Sequence, residues 1–156
     1  MPADAPVTIR PAVHADIDAI VALFAADEVG GHGDTSDISA RPDYVGAFER
    51  IAASACDTLW VADMAGDVVG TFQTTLTTTM TGRGRLVMTI EAVQTRADLR
   101  GRGVGAQMIR HAIETGRGHG ARLVQLSSNA KRVDAHRFYE RLGFSRMHFG
   151  FKMNLL

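Results

Sequence analysis

The stretch from Arg85 to Gly120, RLVMTIEAVQTRADLRGRGVGAQMIRHAIETGRGHG, decides the fold, because it reads as a strand, a glycine-rich turn and a helix in succession. Leu86, Val87, Met88, Ile90, Ala92 and Val93 form an almost continuous apolar run of the kind buried on both faces of a sheet, broken by one carboxylate, Glu91. Then the period changes. Val104, Met108, Ile109, Ala112 and Ile113 recur at helical spacing, which predicts a helix from near Gly103 with this stripe against the sheet. Between the two lies Arg100-Gly101-Arg102-Gly103-Val104-Gly105. Its glycines remove side chains where the helix's first unpaired N–H groups face outward, at the positive end of the dipole. Arg100 and Arg102 add charge, and such a start binds anions of the size of a pyrophosphate.

The spacing is G-x-G-x-G, so neither the dinucleotide fingerprint nor the Walker loop is satisfied. It resembles the coenzyme A loop of the GNAT acetyltransferase superfamily, whose pattern Gln/Arg-x-x-Gly-x-Gly/Ala is met by Arg100, Gly103 and Gly105. A strand before the loop, a helix after it, and Phe138-Tyr139-Glu140-Arg141-Leu142-Gly143-Phe144 downstream, similar to the family's late Tyr and Gly-Phe segment, extend the resemblance. It covers nearly the whole chain and is specific from about Glu91 to Phe144.

Working outward, Val7 to Arg10 reads as a strand, and Ile17, Ile20, Val21 and Phe24 as one face of a helix. Residues 30–42, with three glycines and two aspartates, make the longest irregular stretch. Tyr44, Val45, Phe48, Ile51 and Ala52 mark a second helix. Leu59 to Met64 and Val68 to Leu76 are strands joined by Ala65-Gly66-Asp67, and a threonine run continues the second of them. Beyond the central helix, Arg122 to Leu126 is a buried strand, Ala135 to Leu142 a helix, and Phe144 to Leu155 a closing strand. The order β-α-α-β-β-β-α-β-α-β implies one α/β (α+β) domain over residues 1–156: a mixed, mostly antiparallel central sheet with helices on both faces. The resemblance implies the same fold, with the fourth and fifth strands splayed apart and coenzyme A entering the gap.

Seventeen basic and seventeen acidic residues balance, which offers no argument for nucleic acid or an anionic membrane as partner. One cysteine, Cys56, rules out an internal disulfide and fits a reducing compartment; it reads as small core filler. No leader-like or membrane-length apolar run is present, so a soluble cytoplasmic protein is expected. The six histidines show no ligand spacing and no metal site is expected; His111 and His136 read as surface or capping groups, and His32 as a candidate acceptor contact.

Acetyl transfer from a thioester to an amine needs a neutral amine, donors for the carbonyl oxygen, and a proton or contact for the departing thiolate. For the carbonyl, the resemblance implies the backbone of Val93, Gln94 and Thr95. Glu91, the lone ionisable group in the apolar run, is the candidate base or amine anchor if burial raises its pKa; the alternatives are an ion pair with Arg85 or plain exposure. Tyr139 matches the family's Ala-x-x-x-Tyr and is the candidate acid, against simple packing under the coenzyme. Many members carry an asparagine seven residues before this tyrosine, whereas Arg132 stands here. Either Asn129 takes that work or Lys131 and Arg132 contact phosphates. The cofactor set is therefore Val93, Gln94, Thr95, Arg100, Gly101, Arg102, Gly103, Val104, Gly105 and Asn129, with Glu91 and Tyr139 as catalytic candidates. The resemblance implies an acetyl-CoA-dependent N-acetyltransferase using a ternary complex, with a small-molecule amine as the expected acceptor. The rivals are a protein lysine or N-terminal acetyltransferase and a catalytically silent coenzyme A-binding regulator. A homodimer is also implied, since closing strands in the family often pair across dimers, although burial in its own sheet equally accounts for the tail FGFKMNLL.

Overall fold

Five strands, β1 (Val7–Pro11), β2 (Asp57–Met64), β3 (Asp67–Thr78), β4 (Leu86–Thr95) and β5 (Leu123–Leu126), lie side by side in chain order. The computed structural model describes residues 5–29 and 33–155, so His32 lies outside the described residues. β1 to β4 pair antiparallel, and β4 pairs β5 in parallel across the helical crossover that a parallel pair requires. β2 turns into β3 through Ala65 and Gly66, both left-handed at φ 53° and 92°, the turn geometry whose twist matches the strands it joins.

Helices cover both faces. α1 (Ile17–Ala25) and α2 (Arg41–Ala53) pack on β2 and β3, and α4 (Val104–Gly118) packs on β3 and β4. α3 (Thr81–Gly84) is one turn interrupted by left-handed Gly82 and Arg83, and α5 (Val133–Arg141) closes the helical set. Neighbouring strand residues point to opposite faces, so the complete burial of both Val61 and Ala62 shows that the sheet is sandwiched. Ala62, Met88 and Ile90 meet Met108, Ile109 and Ala112 in the core on the α4 side. His111 belongs to this interface rather than to the surface: its ring lies edge-on to Trp60 with centroids 4.7 Å apart, and burial lowers its pKa. Cys56 departs from expectation in the other direction. α2 stops at Ala53, so Cys56 falls in the exposed turn before β2.

The closing strand expected over 144–155 is absent. α5 ends at left-handed Gly143 (φ 96°), Phe144 N–H donates to the Tyr139 carbonyl at 3.1 Å, and beyond Phe144 the described chain is neither strand nor helix. Met147, Phe149, Phe151, Met153 and Leu155 are exposed on it, Phe151 at 95%. Alternation of apolar and polar residues records a strand preference but contains nothing about which edge is available to pair.

Asp16 fastens β1 to α1. Its buried carboxylate accepts from Arg10 Nη1 at 2.7 Å, Arg10 Nη2 at 3.0 Å and the Val13 N–H at 2.8 Å, and Arg10 reaches Asp63 on β2 at 3.0 Å. The Arg10 guanidinium holds the Asp16 carboxyl below the usual carboxylate range. A depressed folded-state pKa contributes stability that is present above the unfolded carboxylate value and is lost as pH falls through the folded one. Asp16→Asn is therefore expected to cost about 2–4 kcal/mol at pH 7 by denaturant titration. The difference from the parent should shrink in acid.

Candidate active site

The site begins where β4 leaves β5. The parallel pairing covers only Val87–Ile90 against Leu123–Leu126, while β4 runs on to Thr95 with β3 as its remaining partner. On the β3 side, Thr71 faces Gln94 and Gln73 faces Glu91, so Phe72 stands opposite both Ala92 and Val93. This is a bulge, and Ala92 in it takes the left-handed conformation (φ 52°). The extra residue bends and twists β4 just past its last pairing with β5, so the end of β4 has no ladder partner on that side.

Backbone alternation then assigns the free groups. Arg96 N–H donates to the Val69 carbonyl at 2.8 Å, so Gln94 also turns its main chain toward β3. Val93 and Thr95 turn theirs toward the gap, where Arg100 Nε meets the Thr95 carbonyl at 3.2 Å. Of the three residues expected to offer main-chain groups, Val93 and Thr95 thus face the opening. Gln94 instead sends its side chain to Asp27, with Nε2 donating to Oδ2 at 2.7 Å.

The glycine loop lies against this opening. Gly101 and Gly103 are left-handed (φ 75° and 87°), and Gly103 is the residue from which α4 departs. The first backbone bond into the helix is Gln107 N–H to the Gly103 carbonyl at 3.0 Å, which leaves the N–H groups of residues 103–106 without helical acceptors. Gly105 sits between the two sides of the site: a Cβ there would lie 3.4 Å from Phe138 Cζ and 3.6 Å from Thr95 Oγ1. Arg100 and Arg102 are exposed. The arrangement suits a diphosphate on bare N–H groups and an extended amide-bearing chain along β4.

Tyr139 follows Phe138 on α5, packed edge-on to it at 5.1 Å and to Phe144 at 6.0 Å. Burial pushes its phenol pKa up, and the charge of Arg132 acts in the opposite direction. Glu91 is exposed, so the buried carboxylate expected from the apolar run is corrected. The run is core only as far as Ile90, and the bulge carries its second half out to the open edge. Asn129 completes a local turn: its Oδ1 accepts from Lys131 N–H at 2.9 Å, and its carbonyl accepts from Arg132 N–H and His136 Nε2, each at 2.9 Å. The Arg132 guanidinium donates to Asp27 Oδ2. Asp27 is the residue the sequence reading missed. Its partners lie 67 and 105 positions away, beyond the reach of any spacing rule.

Residues 18–144 match the Acetyltransferase (GNAT) family. The chain belongs to that family. Among solved structures, a transcriptional regulator from Bacillus halodurans C-125 superposes with a TM-score of 0.93 at 37% identity, over 96% of this chain and 100% of that one. The aminoglycoside N-acetyltransferase AAC(6')-Iy, in complex with CoA, superposes with a TM-score of 0.79 over 100% and 99% of the two chains. Its 17% identity shows the fold alone. A 53-residue segment is 49% identical to the aminoalkylphosphonate N-acetyltransferase of Salmonella typhimurium, covering 34% of each chain.

The contact at Gly105 is open to test. Gly105→Ala should be tolerated, whereas the branched side chain of Gly105→Val must displace Phe138 and is expected to cost about 1–3 kcal/mol. Chemical denaturation of both variants separates the cases.

Proposed function

We propose that this chain is an acetyl-CoA-dependent N-acetyltransferase that transfers acetyl to the primary amine of a small molecule by direct attack in a ternary complex. The parting of β4 from β5 beside the bare start of α4 carries this reading, since it supplies main-chain donors and an anion cradle on one line. The residues fit the carrier: glycines at 101, 103 and 105 leave room for phosphates, and Val93 and Thr95 offer strand-like pairing to its amides. When bound, acetyl-CoA supplies the activated acyl carbon.

The chain's own groups do the rest. Val93 N–H donates to the thioester oxygen as negative charge develops there. Exposed Glu91 receives the amine proton through water, or anchors the amine before attack. As the C–N bond forms and the C–S bond breaks, Tyr139 gives its proton to sulfur. Residues 33–44 and α2 form the acceptor wall, where Tyr44 donates to Asp34 at 3.0 Å and accepts from Thr35 N–H. The name of the aminoalkylphosphonate N-acetyltransferase, 49% identical over 53 residues, favours a small amine. No helix among the described residues is long and apolar enough to cross a membrane, and with a lone cysteine this supports a cytoplasmic setting. A silent regulator is the second reading, favoured by the name of the Bacillus halodurans relative.

A homodimer is the assembly we favour. The tail places Met147, Phe149, Phe151, Met153 and Leu155 in alternate, exposed positions, and β5 pairs on one side only, so each copy has an alternating segment to give and an edge to receive it.

Thiol release from acetyl-CoA against pooled amines, with mass measurement of product, tests the activity. A product heavier by one acetyl group is expected, and coenzyme binding without transfer to any amine would favour the regulator. Gly103→Val should weaken coenzyme A binding by about tenfold or more, because a side chain is strained at that backbone conformation and intrudes on the cradle. Sedimentation should report a dimer that Phe149→Asp/Phe151→Asp dissociates; a parent that is monomeric at every concentration removes the assembly.

A further inference from the structure

β4 and β5 stop pairing at Ile90 and Leu126, and from there the chain leaves the ladder as two arms. One is the end of β4, through Gln94 to Thr95; the other runs from Leu126 through the turn at Asn129 to Arg132, the residue from which α5 departs. Both arms reach the same atom. Gln94 Nε2 donates to Asp27 Oδ2 at 2.7 Å, and Arg132 Nη2 donates to that oxygen too. Two donors that share one acceptor lie no more than about 6 Å apart, so this oxygen limits how far the arms can separate. Asp27 is itself held in place. Its N–H donates to the Phe24 carbonyl at 3.0 Å at the end of α1, and buried Ile17, Ile20 and Val21 anchor that helix. Arg132 N–H donates to the Asn129 carbonyl at 2.9 Å, which fixes the turn of the second arm. The Asp27 side chain is 9% exposed, and a hydrogen bond between charged groups at that depth is stronger than one in water.

We infer that Asp27 is a positioning residue for the coenzyme: by holding Gln94 and Arg132 on one oxygen, it fixes the spacing between the free end of β4 and the start of α5, and with it the affinity for coenzyme A. The inference rests on the reading of Val93 and Thr95 as the strand that pairs with the carrier. Gln94 lies between those two residues, so anchoring its side chain limits the movement of both. Without the carboxylate the coenzyme itself has to order the two arms, and that ordering cost is subtracted from its affinity. A carboxylate suits the task because it accepts from two donors and matches the guanidinium charge, and a neutral second donor in Gln94 leaves that pair balanced.

Titration calorimetry with coenzyme A itself needs neither acceptor nor turnover. Asp27→Ala should weaken binding about tenfold, and Asp27→Asn, which keeps one acceptor oxygen, should weaken it less. Gln94→Leu severs the β4 contact alone and should weaken binding about threefold or more, yet in the Asp27→Ala background it should add nothing, because the contact it removes is already gone. A part in folding alone would lower Tm and leave the affinity of the folded protein, measured well below Tm, unmoved. If Asp27→Ala does not fold, Gln94→Leu, which keeps the Asp27–Arg132 pair, takes its place, and a parent-like affinity there overturns the inference. Affinity within about twofold of the parent in folded Asp27→Ala, or effects of the two substitutions that simply add, overturns it equally. A parent chain that binds no coenzyme A overturns the reading beneath it instead.

Discussion

A single strand cannot pair on both sides and also bind a ligand through its main chain, and β4 resolves this conflict by dividing its length. Up to Ile90 it is a core strand, paired with β3 and β5, with Val87, Met88 and Ile90 buried. After the bulge at Ala92 it keeps β3 and gives up β5. Unpaired backbone polar groups are costly when dry, so the released groups of Val93 and the Thr95 N–H face an opening where water or a ligand can satisfy them, while the Thr95 carbonyl accepts from Arg100. The rest of the site is arranged around that opening.

The glycine loop follows from the same geometry. With β4 bent outward, the crossover to α4 must turn sharply, and left-handed Gly101 and Gly103 make the turn without Cβ strain. Gly105 then lets α4 sit close to Thr95 on one side and Phe138 on the other. Gly101 and Gly103 shape the backbone, and Gly105 sets the distance between helix, strand and aromatic wall.

Electrostatics are local in a chain with balanced charge. Seventeen charges of each sign cancel overall, yet Asp16 and Asp27 are each drawn into the interior by a guanidinium, one holding β1 to α1 and the other bordering the gap. Their geometry is alike and their placement differs. Arg10 and Asp16 lie close in sequence at the entry to α1, whereas Arg132 and Asp27 are drawn together from opposite ends of the chain.

What the sequence by itself determined is whatever is encoded within about twenty residues: the switch of period from β4 to α4, the glycines that start the helix, the hairpin at Ala65-Gly66, and the aromatic pair on α5. Side-chain periodicity and turn chemistry are local, so they are legible in order along the chain. The tertiary structure alone decided that Glu91 is exposed, that His111 packs on Trp60, and that the alternating tail pairs with no edge of its own sheet. It also brought Asp27, Gln94 and Arg132 together. Each of these depends on which elements become neighbours, and a bulge that shifts register by one residue changes that outcome while leaving the hydrophobic pattern of the sequence unaltered.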